Sequence, residues 1–415
     1  MMKRTLLIFA LLFIKMQRTV AQSNGSSAAE NNLEVVDSIY SNILKESREF
    51  WVKLPENFNP EDNVKYPVIY LLDGFSLKST LETVYNNYWG HYLPHMILVG
   101  VSNRNNRTRD LTISQVETRH GGQVDTETGG ADKFGAFLEK ELIPFIDAEY
   151  PTTPYRTLIG HSYGGLFTID MFLKNNALFK NYLAIDPSLE WDNQLIMNQV
   201  KQKLKTEDFS GKGLFISLAA EQLHMQNENI TIENIMEDDT EYSLFARSII
   251  EFSEFTISQK QNRLKFSWKV YPEDLHGTVP LPAIRDGLIF LFDWYQFKSP
   301  QKYNNPETTV VELRELIKVQ ELIYTQNFGY KTPPMIEELF NGYGYMYLQM
   351  EQLEKAKMFF ELAIKYYPNS ANVYDALADY YEAQKDYTNA LKLVTKAFEI
   401  SGSDYHKNRM ESLKN

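Results

Sequence analysis

The chain has 415 residues, a length typical of two domains or three. Its formal net charge of −12 is spread without long blocks of one sign, which excludes the basic footprint of a nucleic-acid-binding protein. Cysteine is absent, and this excludes disulfides, thiolate nucleophiles and cysteine-bound zinc but leaves the redox compartment open.

The amino-terminal segment has the pattern of a secretory signal. Two basic residues precede an apolar run from Leu6 to Ile14, which is too short to span a bilayer as an anchor. Small residues then predict cleavage between Ala21 and Gln22, so residues 1–21 are interpreted as a signal peptide. We therefore expect a periplasmic or secreted protein with no membrane span in the mature chain.

Short apolar runs alternate with helical patterns between residues 30 and 298. Continuous apolar runs of this length are typical of strands buried on both faces of a parallel sheet. The predicted strands are Arg48–Leu54, Pro67–Leu72, Met96–Val101, Thr157–Gly160, Tyr182–Ile185, Leu214–Leu218 and Phe266–Tyr271. The predicted helices are Asp132–Ala148, Leu166–Asn175 and Ala283–Tyr295. This alternation predicts an α/β domain whose mostly parallel sheet is covered on both faces.

The sequence Gly160-His161-Ser162-Tyr163-Gly164 lies between a predicted strand and a predicted helix. Strand, sharp turn and helix around G-x-S-x-G are typical of a nucleophile elbow, in which glycines permit a tight, strained turn. Ser162 is therefore the candidate nucleophile, and the amide of Tyr163 is a candidate donor to an oxyanion. A glycine-rich turn without chemistry is the alternative, which the strand–helix context disfavours.

A serine hydroxyl needs a base that takes its proton, and in hydrolases with such an elbow the histidine comes last along the chain. His276 follows the last predicted strand and precedes a long predicted helix, which is the position expected of that base. His224 remains the alternative.

The acid that would orient this histidine is expected after the penultimate strand. Glu221 is the first carboxylate after Leu214–Leu218, and its role would be to hold the imidazole tautomer and stabilise the imidazolium. A Ser–His dyad supported by a backbone carbonyl is also compatible with the sequence. The competing carboxylates are Glu228, Glu237, Asp238, Asp239, Glu273 and Asp274.

An oxyanion hole needs a second donor from the loop after an early strand. The strand Pro67–Leu72 ends in Asp73-Gly74-Phe75, where Gly74 lets the backbone turn and the amide of Phe75 becomes the candidate donor. An ordinary strand-end turn is the alternative. Further along, arginines and an aspartate between residues 104 and 110 could bind an anionic or catecholate substrate, but pairing with nearby carboxylates is the favoured interpretation.

The carboxyl-terminal part of the chain repeats itself with a period of 34 residues. Residues 299–334 read as a linker with a connecting helix at Thr308–Gln326, and residues 335–404 as two tetratricopeptide-like repeats. Small residues in such repeats let paired helices approach, and large ones fill the gaps. Two repeats are fewer than an independent solenoid needs, so we expect them to lean on the connecting helix or on the α/β domain and to offer a surface for a protein partner. The corresponding positions are Tyr347 and Tyr381, Ala356 and Ala390, Ala363 and Ala397, Tyr343 and Leu377, and Gly344 and Ala378.

Six ordered motifs resemble those of the putative-esterase (esterase D-like) family, which includes siderophore esterases, feruloyl esterases and mycolyltransferases. The resemblance implies an α/β-hydrolase fold without cofactor or metal, in which Ser162 and His276 match the catalytic pair and Phe75 and Tyr163 the oxyanion-hole amides. The usual S-P-S-x-W-W run of the family is altered here to DPSLEW, which adds two negative charges near the pocket. The motifs are YPVIYLLDG at 66–74, ILVGVSN at 97–103, TRDLT at 108–112, GHSYGGLF at 160–167, DPSLEW at 186–191 and LHG at 275–277.

Together these features predict a serine esterase that hydrolyses carboxylic esters through an acyl-enzyme. The small-molecule substrate would be an ester of siderophore or of feruloyl or acyl-sugar type. Two alternatives remain open: an acyltransferase on the same scaffold, and a catalytically idle hydrolase domain that binds partners through its repeats.

Overall fold

The computed structural model describes residues 33–56, 58, 64–119, 122–174, 177–221, 223 and 229–414. The predicted signal peptide lies outside these ranges, and so do the alternative base His224 and the competing acid Glu228.

Eight strands form the central sheet, which confirms the predicted α/β architecture. Their order is β1-β2-β4-β3-β7-β8-β9-β10. Six of them run parallel to one another, whereas β2 pairs antiparallel with both β1 and β4 at one edge. The strands are β1 Glu34–Ser41, β2 Glu46–Lys53, β3 Tyr66–Leu71, β4 Ile97–Val101, β7 Thr152–His161, β8 Asn181–Ile185, β9 Gly213–Ala219 and β10 Lys265–Tyr271, with β5 Thr118–Arg119 and β6 Gly122–Gln123 forming a separate hairpin.

Helices cover both faces of the sheet because successive strand residues point to opposite sides. In β3, Val68 and Tyr70 join the core packed against α3 to α7, whereas Ile69 and Leu71 join the core packed against α1 and α8. The helices are α1 Lys78–Tyr88, α2 Arg107–Leu111, α3 Ala131–Phe137, α4 Ile143–Glu149, α5 Tyr163–Lys174, α6 Trp191–Thr206, α7 Leu244–Ser258 and α8 Pro280–Leu291. A π-helical segment, Leu138–Leu142, joins α3 to α4 within the predicted helix Asp132–Ala148.

The repeat module consists of helices packed as antiparallel pairs. Gly344 shows why a small residue is needed there, since a Cβ at this position would lie 2.5 Å from the ring of Phe360. The helices are α9 Val310–Phe328, α10 Glu337–Gln349, α11 Leu353–Tyr366, α12 Ala371–Ala383, α13 Tyr387–Ser401 and α14 Asp404–Lys414.

Helix α9 joins the two parts of the molecule. It begins at a capping box in which the side chains of Thr309 and Glu312 satisfy each other's backbone amides. Its first half contributes Leu313 to the core of the repeats, and its last turn contributes Phe328 to the core beneath the sheet. The predicted dependence of the repeats on this helix therefore has a physical basis, while the domain boundaries predicted at residues 298 and 335 stay predictions.

Two features are absent from the part of the chain that the structure describes. It contains no helix that combines the length and the apolar character needed to cross a bilayer. It also contains no group of three or more His, Asp or Glu side chains arranged to hold a metal ion.

Candidate active site

Ser162 occupies a strained turn at the carboxyl end of β7, directly before α5. Its φ of 61° is left-handed, which is costly for a residue with a side chain and typical of a nucleophile elbow. Gly160 makes the turn possible because a Cβ there would lie 2.0 Å from the carbonyl oxygen of Gly164. The amide of Ser162 donates to the carbonyl of Ile185 at 2.9 Å. These contacts hold the hydroxyl at the carboxyl edge of the sheet.

A buried carboxylate faces the imidazole of His276. Asp186 Oδ2 lies 2.6 Å from His276 Nδ1, and Asp186 Oδ1 accepts a hydrogen bond from the amide of Ala219 at 2.9 Å. Burial raises the pKa of Asp186, while His276 and the Ala219 amide act in the opposite direction by favouring the charged carboxylate. Because the carboxylate accepts at Nδ1, it selects the tautomer in which Nε2 can take a proton.

The prediction of Glu221 as the orienting acid is wrong, since Asp186 already occupies Nδ1 of His276. Glu221 lies after β9, as expected, but its contact with the histidine loop is a backbone one: its amide donates to the carbonyl of Asp274 at 3.2 Å. The acid instead follows β8, the strand beside β7. Asp186 was visible in the sequence as the first residue of DPSLEW, yet it was read only as added negative charge.

Ser162 and His276 are brought to the same edge of the sheet without a direct hydrogen bond. Within the described ranges, the hydroxyl of Ser162 has one hydrogen-bonding neighbour, Ser188 Oγ at 3.5 Å. The ring of His161, the residue before Ser162, lies 4.4 Å from the ring of His276. Catalytic hydrogen bonds are often long in unliganded enzymes and tighten when substrate binds.

His161 holds the loop that carries His276. Its Nε2 lies 2.8 Å from the carbonyl oxygen of His276, and since a carbonyl only accepts, Nε2 carries the proton. Burial, followed by the proximity of His276, lowers the pKa of His161 to about 3, so this imidazole stays neutral. Phe245 of α7 meets the ring of His276 edge-on at 5.6 Å. The candidate base is thus fixed by groups from three separate elements.

Two backbone amides point to an oxyanion hole at this site. Among the described residues, neither the amide of Phe75 nor that of Tyr163 donates to a protein acceptor. The loop before Phe75 is rigid, because Gly74 donates to the carbonyl of Val101 at 2.8 Å and accepts from Trp51 Nε1 at 2.9 Å. Tyr163 begins α5, where the helix dipole favours negative charge.

Arginines and aromatic rings surround these amides. Arg107 Nε lies 3.0 Å from both carboxylate oxygens of Asp73, and its Nη2 donates to the carbonyl of His161 at 3.2 Å. The guanidinium of Arg119 lies 5.0 Å from the ring centroid of Tyr163 and forms an ion pair with Glu190. The charge of Glu190 is therefore balanced by Arg119.

Other arginines of this region divide between structural pairing and exposure. Arg109 binds both Glu46, at 2.6 Å, and Asp110, at 2.8 Å, as the carboxylate-pairing interpretation expected. Arg104 is exposed, and its guanidinium lies 5.9 Å from the ring centroid of Phe75. Arg104 is thus placed to meet a ligand beside the candidate oxyanion hole.

Comparison with protein families agrees with the motifs and the geometry. Residues 41–232 match the family described as Putative esterase, and residues 337–370 and 371–404 each match the family described as Tetratricopeptide repeat. The chain carries an esterase-family domain followed by two tetratricopeptide repeats. The resemblance seen in the sequence motifs is confirmed.

Relatives of this esterase domain have been named for siderophore chemistry. The chain is 26% identical to the ferri-bacillibactin esterase BesA of Bacillus subtilis over 258 residues, which cover 58% of this chain and 89% of BesA. It is 30% identical to a siderophore enterobactin esterase of Emericella nidulans over 179 residues, 39% of this chain and 56% of that protein. An IroE-like serine hydrolase from Shewanella oneidensis superposes with a TM-score of 0.64 at 27% identity, covering 80% of this chain and 98% of that one.

At position 186 this esterase domain departs from the S-P-S-x-W-W run associated with the family. Aspartate stands where that run begins with serine, and it is the aspartate that contacts His276. A change of one residue type in the run thus supplies a carboxylate to the histidine.

Proposed function

We propose that this protein is a serine esterase that hydrolyses carboxylic esters through an acyl-enzyme on Ser162. Ser162 Oγ attacks the ester carbonyl carbon while Nε2 of His276 takes the hydroxyl proton, and the amides of Phe75 and Tyr163 donate to the oxyanion. The proton then passes to the leaving alcohol as the C–O bond breaks. Water, deprotonated by His276, attacks the acyl-enzyme and releases the acid.

The observation that carries this proposal is the carboxylate–imidazole pair beside a strained serine. Asp186 and His276 lie 2.6 Å apart at the sheet edge where Ser162 has a φ of 61°. Strain of this kind persists where the surroundings enforce it, and it is concentrated at functional sites. A buried carboxylate aimed at Nδ1 stabilises the imidazolium that forms when His276 holds the proton.

For the substrate we propose an ester of a phenolic or catecholate acid, of siderophore or feruloyl type. Phe75, Tyr163 and Trp191 present rings near the candidate oxyanion hole, and the guanidinium of Arg119 lies over two of them. Such rings stack on aromatic acyl groups, and the exposed Arg104 offers a charge to an anionic one. The names of the relatives point the same way.

Replacing Ser162 by alanine tests the mechanism. With p-nitrophenyl butyrate, the native protein should release a burst of nitrophenol, and Ser162→Ala should lose the burst and about 10³-fold or more of kcat. A fluorophosphonate probe should label the native chain and spare the variant, whereas the exposed Ser210→Ala should react normally. Unchanged turnover by Ser162→Ala would refute the proposed nucleophile.

We further propose that the protein is exported. The support is the amino-terminal pattern of two basic residues, a short apolar run and small residues before Gln22. The mature protein, isolated from the periplasm or the culture medium, should then begin at Gln22 when its terminus is read by mass spectrometry. Recovery of the protein in the cytosol with residues 1–21 still attached would contradict export.

A further inference from the structure

A cavity of about 650 Å³ lies between the esterase domain and the repeat module. Its floor is formed where two parallel strands begin, at Tyr66 of β3 and at Thr152 and Thr153 of β7. Tyr324 and Phe328 of α9 form one wall, and both are buried. A cavity of this size is within the range that encloses small organic ligands.

This cavity is separate from the catalytic centre. Strand β7 runs from Thr152 at the cavity floor to His161, which precedes Ser162. At about 3.3 Å per residue, its ten residues separate the two ends by roughly 30 Å. A ligand in the cavity would therefore lie at the opposite edge of the sheet from the ester bond and could not be part of the same bound substrate.

The walls offer ring surfaces more than free hydroxyl donors. The hydroxyl of Tyr324 donates to the carbonyl of Tyr295 at 2.7 Å, and that of Tyr330 donates to Thr153 at 3.1 Å. The hydroxyl of Tyr367 donates to the carbonyl of Met335 at 2.9 Å. With these donors engaged inside the protein, the tyrosines present their faces and edges to the cavity, which suits an aromatic ligand.

One polar group in the lining is buried without a partner. His95 Nε2 is inaccessible to solvent and makes no hydrogen bond in the described structure, while its ring packs edge-on against Trp89 at 4.7 Å. Buried polar atoms are nearly always paired, so an orphaned ring nitrogen in a cavity wall indicates a missing partner. Burial lowers the pKa of His95, which keeps the imidazole neutral at pH 7.

The charges around the cavity favour a neutral ligand. The charged residues in the lining are two lysines, Lys65 and Lys331, and two glutamates, Glu337 and Glu338, so their formal charges cancel. Three of the four are exposed at the rim. The buried floor thus presents threonine hydroxyls, rings and one neutral imidazole, and a charged ligand would lose hydration there without meeting a counter-ion.

We propose that this cavity binds a neutral phenol of one or two rings, with its hydroxyl hydrogen-bonded to His95 Nε2. A phenolic hydroxyl satisfies the imidazole in either tautomer, because it both donates and accepts. The ring lies among the aromatic side chains of α9 and of the segment that links it to the repeats. This site is independent of the proposed esterase activity and is built from residues of both parts of the molecule.

Titration calorimetry of the full chain with 2-naphthol tests the site. The native protein should bind one equivalent at the cavity, and His95→Phe should weaken that binding at least tenfold. His91→Phe, at an exposed histidine outside the cavity lining, is the matched control and should bind like the native protein. The anion 2-naphthoate should bind at least tenfold more weakly than 2-naphthol.

A second variant guards against a folding defect in the first. Ile336 lines the cavity, and Ile336→Trp should fill it and abolish binding while the far-ultraviolet circular dichroism stays native. Ser162→Ala should bind 2-naphthol normally, so a failure of the esterase proposal and a failure of this one are distinguishable. Native affinity in both His95→Phe and Ile336→Trp, or equal affinity for 2-naphthoate, would overturn the assignment.

Discussion

Asp186 combines three properties at the residue scale: a left-handed φ of 43°, complete burial and a hydrogen bond to His276. None of these is legible in the sequence, because Asp186 and His276 are 90 residues apart and meet only through the sheet. The serine and its glycines carry a local pattern, so the elbow could be predicted. The acid has no local pattern, and the choice of Glu221 rested on strand order alone.

Asp186→Asn should lower kcat for p-nitrophenyl butyrate by about 10³- to 10⁴-fold with a small change in KM. The reason is that an asparagine amide can donate to Nδ1, which stabilises the tautomer that cannot accept the proton of Ser162 at Nε2. Steady-state kinetics on the folded variant measure the effect. Glu221→Gln is the matched control, and its kcat should stay within about twofold of native.

The reverse pattern, with a large loss in Glu221→Gln and native turnover in Asp186→Asn, would reinstate Glu221 as the acid. Equal, small effects in both variants would instead indicate a Ser–His dyad whose imidazole is held by its surroundings. The three outcomes separate the assignments that the sequence left open.

His161 should make the protein less stable in acid. Its folded-state pKa of about 3 lies below the ordinary value of 6.5, so between these values the unfolded chain binds the additional proton. The stability that neutral His161 contributes is complete above pH 6.5 and is lost as the pH falls towards 3. His161→Gln should therefore show a smaller drop in free energy of unfolding between pH 7 and pH 4, measured by urea denaturation.

The exposed His91→Gln is the control for this measurement and should follow the native pH dependence. An identical pH dependence in His161→Gln and the native protein would show that His161 is not buried in its neutral form. The glutamine side chain retains an amide donor for the carbonyl of His276, which limits secondary damage to the loop.

At the scale of elements, strands were predictable where they are buried on both faces. Each of the parallel strands contains a short apolar run that the sequence shows directly. Strand β1 was missed because its sequence, EVVDSIYS, is mostly exposed at the sheet edge and lacks such a run. Helix α1 was missed because Leu81, Val84 and Tyr85 are its buried residues and the rest is polar.

Two glycines of α10 offer a matched test of helix packing. Gly344→Ala should destabilise the protein by about 1–3 kcal/mol, because the new Cβ meets the buried ring of Phe360 at 2.5 Å. Gly342→Ala places its Cβ in open space and should stabilise by up to about 1 kcal/mol through helix propensity. Chemical denaturation compares the two. Equal effects would mean that the close helix approach at Gly344 does not exist in solution.

The whole molecule is held together by a helix that belongs to two cores. Leu313 and Ile317 of α9 pack among the repeats, and Tyr324 and Phe328 pack beneath the sheet. In the sequence this helix was predictable from its pattern, but its double membership was not, because both partners are distant in the chain. The two parts should therefore unfold together.

The tryptophans make this coupling measurable. All five lie at or before residue 294, so tryptophan fluorescence reports on the esterase domain alone. Phe360→Ala, in the buried core of the repeats, should cost about 3–5 kcal/mol and lower the fluorescence midpoint together with the circular dichroism midpoint. A native fluorescence midpoint with a separate early step in circular dichroism would show that the two parts unfold independently.

The shared helix also bears on synthesis of the chain. Tyr295 stacks on Tyr324 at 4.7 Å, and Tyr155 of β7 meets Phe328 at 5.1 Å. A ribosome that has made the last strand and helix of the sheet has not yet made the rings that seal one of its layers. A product terminated near residue 298 would display those tyrosines to chaperones and to other copies of itself. Gene fragments intended for expression should accordingly extend through the repeats.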